Sequence, residues 1–482
     1  MARVLGLWVA SAVVIGTTIG SGVFKKAFAI TQDTPYFGII LLLWIGGGVL
    51  TFFGALAYAE IVSLLPKAGG NYTFLKEAYG PLWGFLWGWT DFVIIRAASL
   101  AALAGIFVDS FCDLARWPLP LLGKVLLTIG VILGLSWVNI RGTRLGGGLQ
   151  VFITVVKVLS LSLIALTPLY FLAGFGPRET INPQNLQPWW PQENSLGASA
   201  IFSAFLAILW AYQGWGNIAP VAEEIRDPQR NIPLALITGV GIITLLYVTA
   251  NVAYHLVLPM EEIRNMSPGA TVATEALRKA FGNFGAMFAS LAIMISVVGA
   301  LNGNILAGPR LLYAMGQDRM APVKMQELHP RYGTPALAIL TLACWASILT
   351  ALGAVVAHLG YTLSLFDLLT NFVIFGSMIF ESMAVLSIYL FRRTMASAPR
   401  PYRCWGYPFT PVLFTVMPVC VLANMFLAKA KNAAGEIIYP HHPEVLAGVL
   451  FLVLGAGVYF IFLRGRLATG EVPPSFPGNP GK

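Results

Sequence analysis

The residues of this chain best suited to chemistry are Gly16-Thr17-Thr18-Ile19-Gly20-Ser21-Gly22-Val23-Phe24, a run with three glycines and three hydroxyls inside the first long apolar segment. A plain membrane-spanning helix has no use for such a run. Glycine weakens a helix by about 1 kcal/mol relative to alanine, and backbone groups freed at membrane depth are tolerated only against protein or a wet cavity. A break here exposes amides on one side and carbonyls on the other. These are the groups that receive the two charges of a small zwitterion in transporters built on discontinuous helices.

A second interrupted run, Ile208-Leu209-Trp210-Ala211-Tyr212-Gln213-Gly214-Trp215-Gly216-Asn217, lies five spans later. Matched breaks in two halves point to an inverted repeat, with spans 1–5 and 6–10 as the core and spans 11–12 as an appendage. The expected limits are 1–174 for the first repeat, 198–391 for the second, 409–464 for the last two spans, and 467–482 for a disordered tail. If the N-terminus is cytoplasmic, the outer half of span 1 starts near Gly20-Ser21-Gly22 and the inner half of span 6 near Gly216-Asn217. Both would then aim free N–H groups and a positive dipole end at the midplane, where a carboxylate is welcome. The preceding half-helices, ending at Thr17-Thr18-Ile19 and Trp210-Ala211-Tyr212, present carbonyls to an ammonium. The competing reading treats Gly16 and Gly20 as a small-residue packing notch between ordinary helices.

The elements that must position these runs are membrane spans. The chain is 57% hydrophobic and 11% charged with a mean hydropathy of +0.75, which excludes a soluble domain. About twelve runs are long enough to cross the hydrocarbon: 4–31, 36–65, 82–112, 119–139, 145–174, 198–223, 231–258, 284–316, 334–357, 359–391, 409–429 and 443–464. With both termini in the cytoplasm, 18 of the 30 basic residues fall on the inner side and 10 on the outer, leaving Arg96 and Lys157 inside spans. That bias sets the orientation and accounts for the net charge of +9. There is no basic stripe for nucleic acid. A bacterial inner membrane is the expected location, and no cleavable signal precedes span 1.

Cys112, Cys344, Cys404 and Cys420 show no metal-ligand spacing, and neither do His255, His329, His358, His441 and His442. No metal and no cofactor is expected. A membrane enzyme would need a nucleophile with its base, or paired carboxylates, at midplane. A channel would show a repeated filter or charge ring. Neither pattern is present, so the chain reads as a non-enzyme.

At greater length the motifs resemble the L-type amino acid transporter family of the amino acid–polyamine–organocation superfamily. GTTIGSGVF (Gly16–Phe24), GALAYAEIVSLLPKAGGNYTFLKEAYGP (Gly54–Pro81), IIRAASLAALA (Ile94–Ala104), NIRGTRLGGGLQVFITVVKVLSL (Asn139–Leu161), WAYQGWGNIAPVAEEIRDPQRNIP (Trp210–Pro233) and SVVGALNGNILAGPRLLYAMGQDRM (Ser296–Met320) carry the likeness through spans 1–10 in order. The resemblance implies an all-α, LeuT-type membrane fold with a 5+5 inverted repeat and broken helices 1 and 6. It implies sodium-independent exchange of neutral L-amino acids by alternating access, the alternative being a proton-coupled symporter of amino acids or polyamines. Compact tails fit a prokaryotic member, so the single-span glycoprotein partner of eukaryotic relatives is not expected, although Cys112 lies near the stretch that would bind it.

Residue by residue, the resemblance assigns Gly20, Ser21 and Gly22 to the substrate carboxylate. Thr17, Ile19, Trp210 and Tyr212 supply carbonyls to the amine, with Trp210 also the gating aromatic. Ser99 and Asn302 line or support the pocket. Gly216 stands where relatives often place a polar residue, and Gln213 replaces the first glycine of the turn, which leaves side-chain selectivity open.

Lys157 sits about 13 residues into span 5, hence roughly 20 Å deep. A lysine there costs about 2.5–3.5 kcal/mol, so it must face a polar interior. By resemblance it occupies the position of a sodium ion in sodium-coupled relatives, joining span 1 to span 8 with Ser296 as partner; the alternative is a structural lysine paired with a buried carboxylate. Arg96, the other deep cation, pairs with Asp91 or with Glu381. Glu223, Glu224, Arg226 and Asp227 read as a cytoplasmic latch, and Trp189-Trp190 as an interfacial anchor.

Overall fold

The computed structural model describes residues 3–191, 196–267, 270–358, 365–427, 430–431, 437–439 and 443–464, with side chains between 356 and 372 and between 428 and 444 left aside. His441, His442 and the tail 467–482 lie outside the described residues, as does the side chain of His358.

Among the described residues, twelve helices are long and apolar enough to cross a membrane: Leu7–Asp33, Phe37–Leu64, Pro81–Ala115, Leu121–Ile140, Thr143–Ala165, Ala198–Ile218, Pro228–Val257, Val272–Gln317, Ala336–Val355, Val373–Thr394, Phe409–Leu427 and Val445–Leu463. They are spans 1 to 12 below. The protein is therefore a multi-pass membrane protein. Beyond the expected helices, Ala430–Lys431 and Ile437–Tyr439 pair as a short antiparallel ribbon between spans 11 and 12. Span 8 begins earlier than its hydropathy suggests, because a turn at Gly282 joins a short leading helix to it.

Span 1 is two helices, Leu7–Thr18 and Gly22–Asp33, with Ile19 turned out of helical geometry between them. The first half packs on spans 5, 7 and 8, and the second half on span 6. Span 6 is α-helical only over Ala198–Tyr212. Gln213 is extended, Gly214 has φ +121°, and the chain continues as 3-10 turns over Trp215–Ile218 and Ala222–Glu224. A second α-helical half was expected here. It does not form because glycines at 214 and 216 weaken it and Pro220 supplies no N–H to a helical ladder. The positive helix end facing the break thus comes from span 1 alone.

Span 5 packs chiefly on spans 1, 7 and 8; span 10 packs on span 11, outside the first ten spans, and within them on spans 2, 3 and 6. Those two sets exchange under a swap of spans 1–5 with 6–10, as an inverted repeat requires.

Candidate substrate site at the broken helices

The breaks in spans 1 and 6 meet. Thr17 Oγ1 lies 2.6 Å from the carbonyl of Val13 in its own turn and 2.8 Å from that of Gly214 across the gap. A β-carbon at Gly214 would stand 2.7 Å from the Thr17 carbonyl oxygen, so both its φ and this close approach require glycine. Gly22 is equally confined, since a β-carbon there would come within 2.5 Å of the Ala211 backbone. The two discontinuities are therefore in backbone-to-backbone contact, and ordinary notch packing between continuous helices does not describe them.

Between them opens a cavity lined from span 1 by Thr17, Thr18, Gly20, Ser21 and Gly22. Ser99 and Trp210 also line it, together with Gln213, Gly216 and Asn217, and it continues to Gly69, Asn71 and Pro220 at one end of the bundle. A polar lining at two facing helix breaks suits a small polar solute. The helix starting at Gly22 has no side-chain cap, so its first N–H groups are available to an anion. Ser21 Oγ is buried, lines the same cavity and has no hydrogen-bond partner among the described residues. A buried hydroxyl without a partner calls for one.

The carbonyl side is less open than the sequence suggests. Ile19 does not line the cavity, and its carbonyl accepts from Lys157 Nζ at 2.7 Å and from Ser296 Oγ at 3.0 Å. The Trp210 carbonyl accepts the Gln213 N–H at 3.2 Å. Tyr212 turns its hydroxyl to the Trp44 carbonyl and lines a smaller neighbouring cavity. Asn302 is wholly buried away from the main cavity. It donates to Gly146 and to Gln150 Oε1 and accepts from Asn139, which ties span 8 to spans 4 and 5.

Among the described residues Lys157 has no carboxylate partner of the kind the structural alternative required. Its ammonium donates to three carbonyls, Gly16 at 2.8 Å, Ile19 at 2.7 Å and Ser296 at 2.8 Å. Ser296 Oγ adds contacts to the Ile19 and Gly20 carbonyls at 3.0 Å each. One cation thus gathers the carbonyls that the break in span 1 leaves without helical donors, and fastens them to span 8.

Arg96 resolves its two options in favour of Asp91, at 3.1 and 3.2 Å, and reaches Asn217 at 2.6 Å and Asn304 at 2.8 Å. The pair is five residues apart, a spacing that puts side chains on different faces of an α-helix. A π turn over Asp91–Arg96 brings them together. Glu381 instead accepts from Gln213 Nε2 at 2.5 Å. Sequence reasoning did not foresee that contact, nor the places of Asn304, Tyr58 and Asn71 in the wall; a lone carboxylate inside an apolar span was the available signal for Glu381.

At the end carrying Pro220, Glu224 pairs with buried Arg310 at 2.8 Å, and its carbonyl accepts the Leu5 N–H. Glu223 accepts from the Ala68 N–H at 3.2 Å. The acidic run after span 6 thereby joins the N-terminal segment, the segment after span 2, and span 8. Trp189 packs edge-on against Phe37.

A bundle of membrane spans with a polar cavity at two facing discontinuities has the build of a secondary transporter. A family profile described as amino acid permease matches residues 5–452, and the chain belongs to that family. It is 32% identical over 436 residues to the serine/threonine exchanger SteT of Bacillus subtilis, covering 90% of this chain and 93% of that protein. It is 29% identical to the human b(0,+)-type amino acid transporter 1, covering 97% and 89% of the two chains. The human cystine/glutamate transporter is also 29% identical, over 88% and 81%.

Proposed function

We propose that this protein exchanges L-amino acids across the membrane by alternating access, without sodium, and takes neutral amino acids among its substrates. The Ser21 hydroxyl, without a hydrogen-bond partner among the described residues, carries the reading: it stands with an uncapped helix start at the wall of the cavity between the two breaks. A substrate carboxylate satisfies both. Sodium independence follows from Lys157, whose ammonium already supplies a fixed positive charge to the carbonyls of the broken helix. The exchanger among the relatives agrees with this mode. The contact pattern of spans 5 and 10 supports 1–174 and 198–391 as the two inverted repeats.

The basic-residue bias supports cytoplasmic termini in a bacterial inner membrane. A heavy-chain glycoprotein is not part of this reading: Cys112 is only 5% exposed and poorly placed for a disulfide to a partner.

The test is uptake of labelled amino acids into proteoliposomes holding the purified protein. Uptake should require amino acid inside and be unchanged when choline replaces sodium. Accumulation driven by a sodium gradient would overturn the role of Lys157, and accumulation driven by a proton gradient into empty vesicles would favour the symporter.

A further inference from the structure

Besides tyrosines, three ionisable side chains line the main cavity: Asp91, Arg96 and Glu381. Asp91 and Arg96 neutralise each other through two close contacts. Glu381 has no ion-pair partner among the described residues; its one hydrogen bond comes from the neutral Gln213 amide. It also borders the smaller cavity beside Leu50, Met378 and Phe414. The groups that face it are Tyr58 from span 2, Asp91 and Arg96 from span 3, and Gln213 from span 6. Tyr212 borders the smaller cavity with its hydroxyl held by the Trp44 carbonyl, and the residues of span 11 that border that cavity are not ionisable.

An ionised carboxylate inside an apolar bundle with no counter-charge is strongly disfavoured. Something cationic must accompany it.

We infer that Glu381 holds either a proton or the cationic side chain of a dibasic amino acid, the two excluding each other, and so admits both neutral and cationic substrates to one site. This rests on the amino acid exchange reading above. With a neutral substrate the carboxyl keeps its proton. A lysine-like side chain displaces that proton to the solution it came from, and its ammonium takes the proton's place. After the cation leaves on the other face, Glu381 takes a proton from that face before it carries a neutral amino acid back. Each cationic amino acid entering against a neutral one leaving therefore moves one proton outward, and the cycle carries no net charge.

The experiment uses the full-length protein in proteoliposomes loaded with L-alanine and a pH-sensitive dye, with L-lysine or L-leucine supplied outside. Lysine entry should raise the lumenal pH by one proton per lysine and be indifferent to an imposed membrane potential, while leucine entry should leave the pH unchanged. Glu381→Gln should lower the ratio of lysine to leucine exchange by more than about tenfold and abolish the proton signal. The inference is overturned if lysine does not exchange, if its exchange is electrogenic without proton movement, or if Glu381→Gln leaves the ratio intact. Should that variant fail to fold, the proton count on the wild-type protein decides. A wild-type protein that exchanges neither leucine nor lysine would refute the transport reading itself, whereas leucine exchange with a failed lysine arm refutes this inference alone.

Discussion

Lys157 Nζ donates to the carbonyl oxygen of Ile19 at 2.7 Å, across 138 positions of sequence. Ile19 is the residue at which span 1 leaves helical geometry, so a cation in span 5 holds the break open from the side opposite the cavity. Lys157→Gln keeps hydrogen-bonding capacity but removes the charge. Because only the competent fraction of the population binds, apparent substrate affinity should fall by more than about tenfold, or 1.4 kcal/mol. Equilibrium binding of labelled amino acid to the purified variant measures this, and wild-type affinity would show the charge to be dispensable.

Ser21→Ala separates binding from stability. The hydroxyl has no partner among the described residues, so its removal should leave the melting temperature in detergent unchanged. A hydrogen bond to a charged group contributes about 1.5–3 kcal/mol, and substrate affinity should weaken correspondingly. A variant that binds as tightly as wild type would place the carboxylate elsewhere.

Gly20 and Gly22 should behave differently on replacement by alanine. A β-carbon at Gly20 meets Ala300 at an ordinary 3.6 Å, whereas one at Gly22 comes within 2.5 Å of the Ala211 backbone. Gly22→Ala should therefore cost about 1–3 kcal/mol in overpacking and separate the two breaks, lowering both thermal stability and exchange. Gly20→Ala should fold normally and lose affinity only, by intruding on the cavity. Equal melting temperatures for the two would contradict the packing described.

Arg96→Leu leaves Asp91 buried without its cation, a change that costs about 3–5 kcal/mol when one partner of a buried pair is removed. Pairing it with Asp91→Asn should restore much of the stability, though not the contacts that Arg96 makes to Asn217 and Asn304. Thermal denaturation of both variants decides this. An unchanged single variant would mean the pair is not buried in the membrane-embedded protein.

Trp210 lines the cavity and Trp189 packs outside it against Phe37. Burial of an aromatic ring of this kind is worth about 1.5–3 kcal/mol. Trp210→Ala should therefore reduce exchange far more than Trp189→Ala in matched proteoliposomes. Similar losses would remove Trp210 from the site.

Much of this protein was legible in the chain. Hydropathy placed twelve spans because the bilayer sets a length that apolar runs must meet. Glycines marked both breaks, because a continuous helix disfavours them, with hydroxyls beside them at the first and aromatic and amide side chains at the second. The depth of Lys157 declared a polar interior around it. These properties are local, or depend only on the membrane as solvent.

What the tertiary structure decided is how groups far apart in sequence share their hydrogen bonds. The Ile19 carbonyl looked free for substrate, yet it is held by Lys157 and Ser296. Asn302 looked like a pocket residue, yet it binds spans 4 and 5 to span 8. Asp91 and Arg96 face each other only because six residues of span 3 wind as a π turn, and Arg96 then leaves Glu381 to Gln213. No periodicity encodes such choices, since each buried polar group takes whichever partner the packing of other spans brings within about 3 Å. The sequence by itself determined where the helices run and where they break; the fold determined which of the exposed groups remain for a substrate.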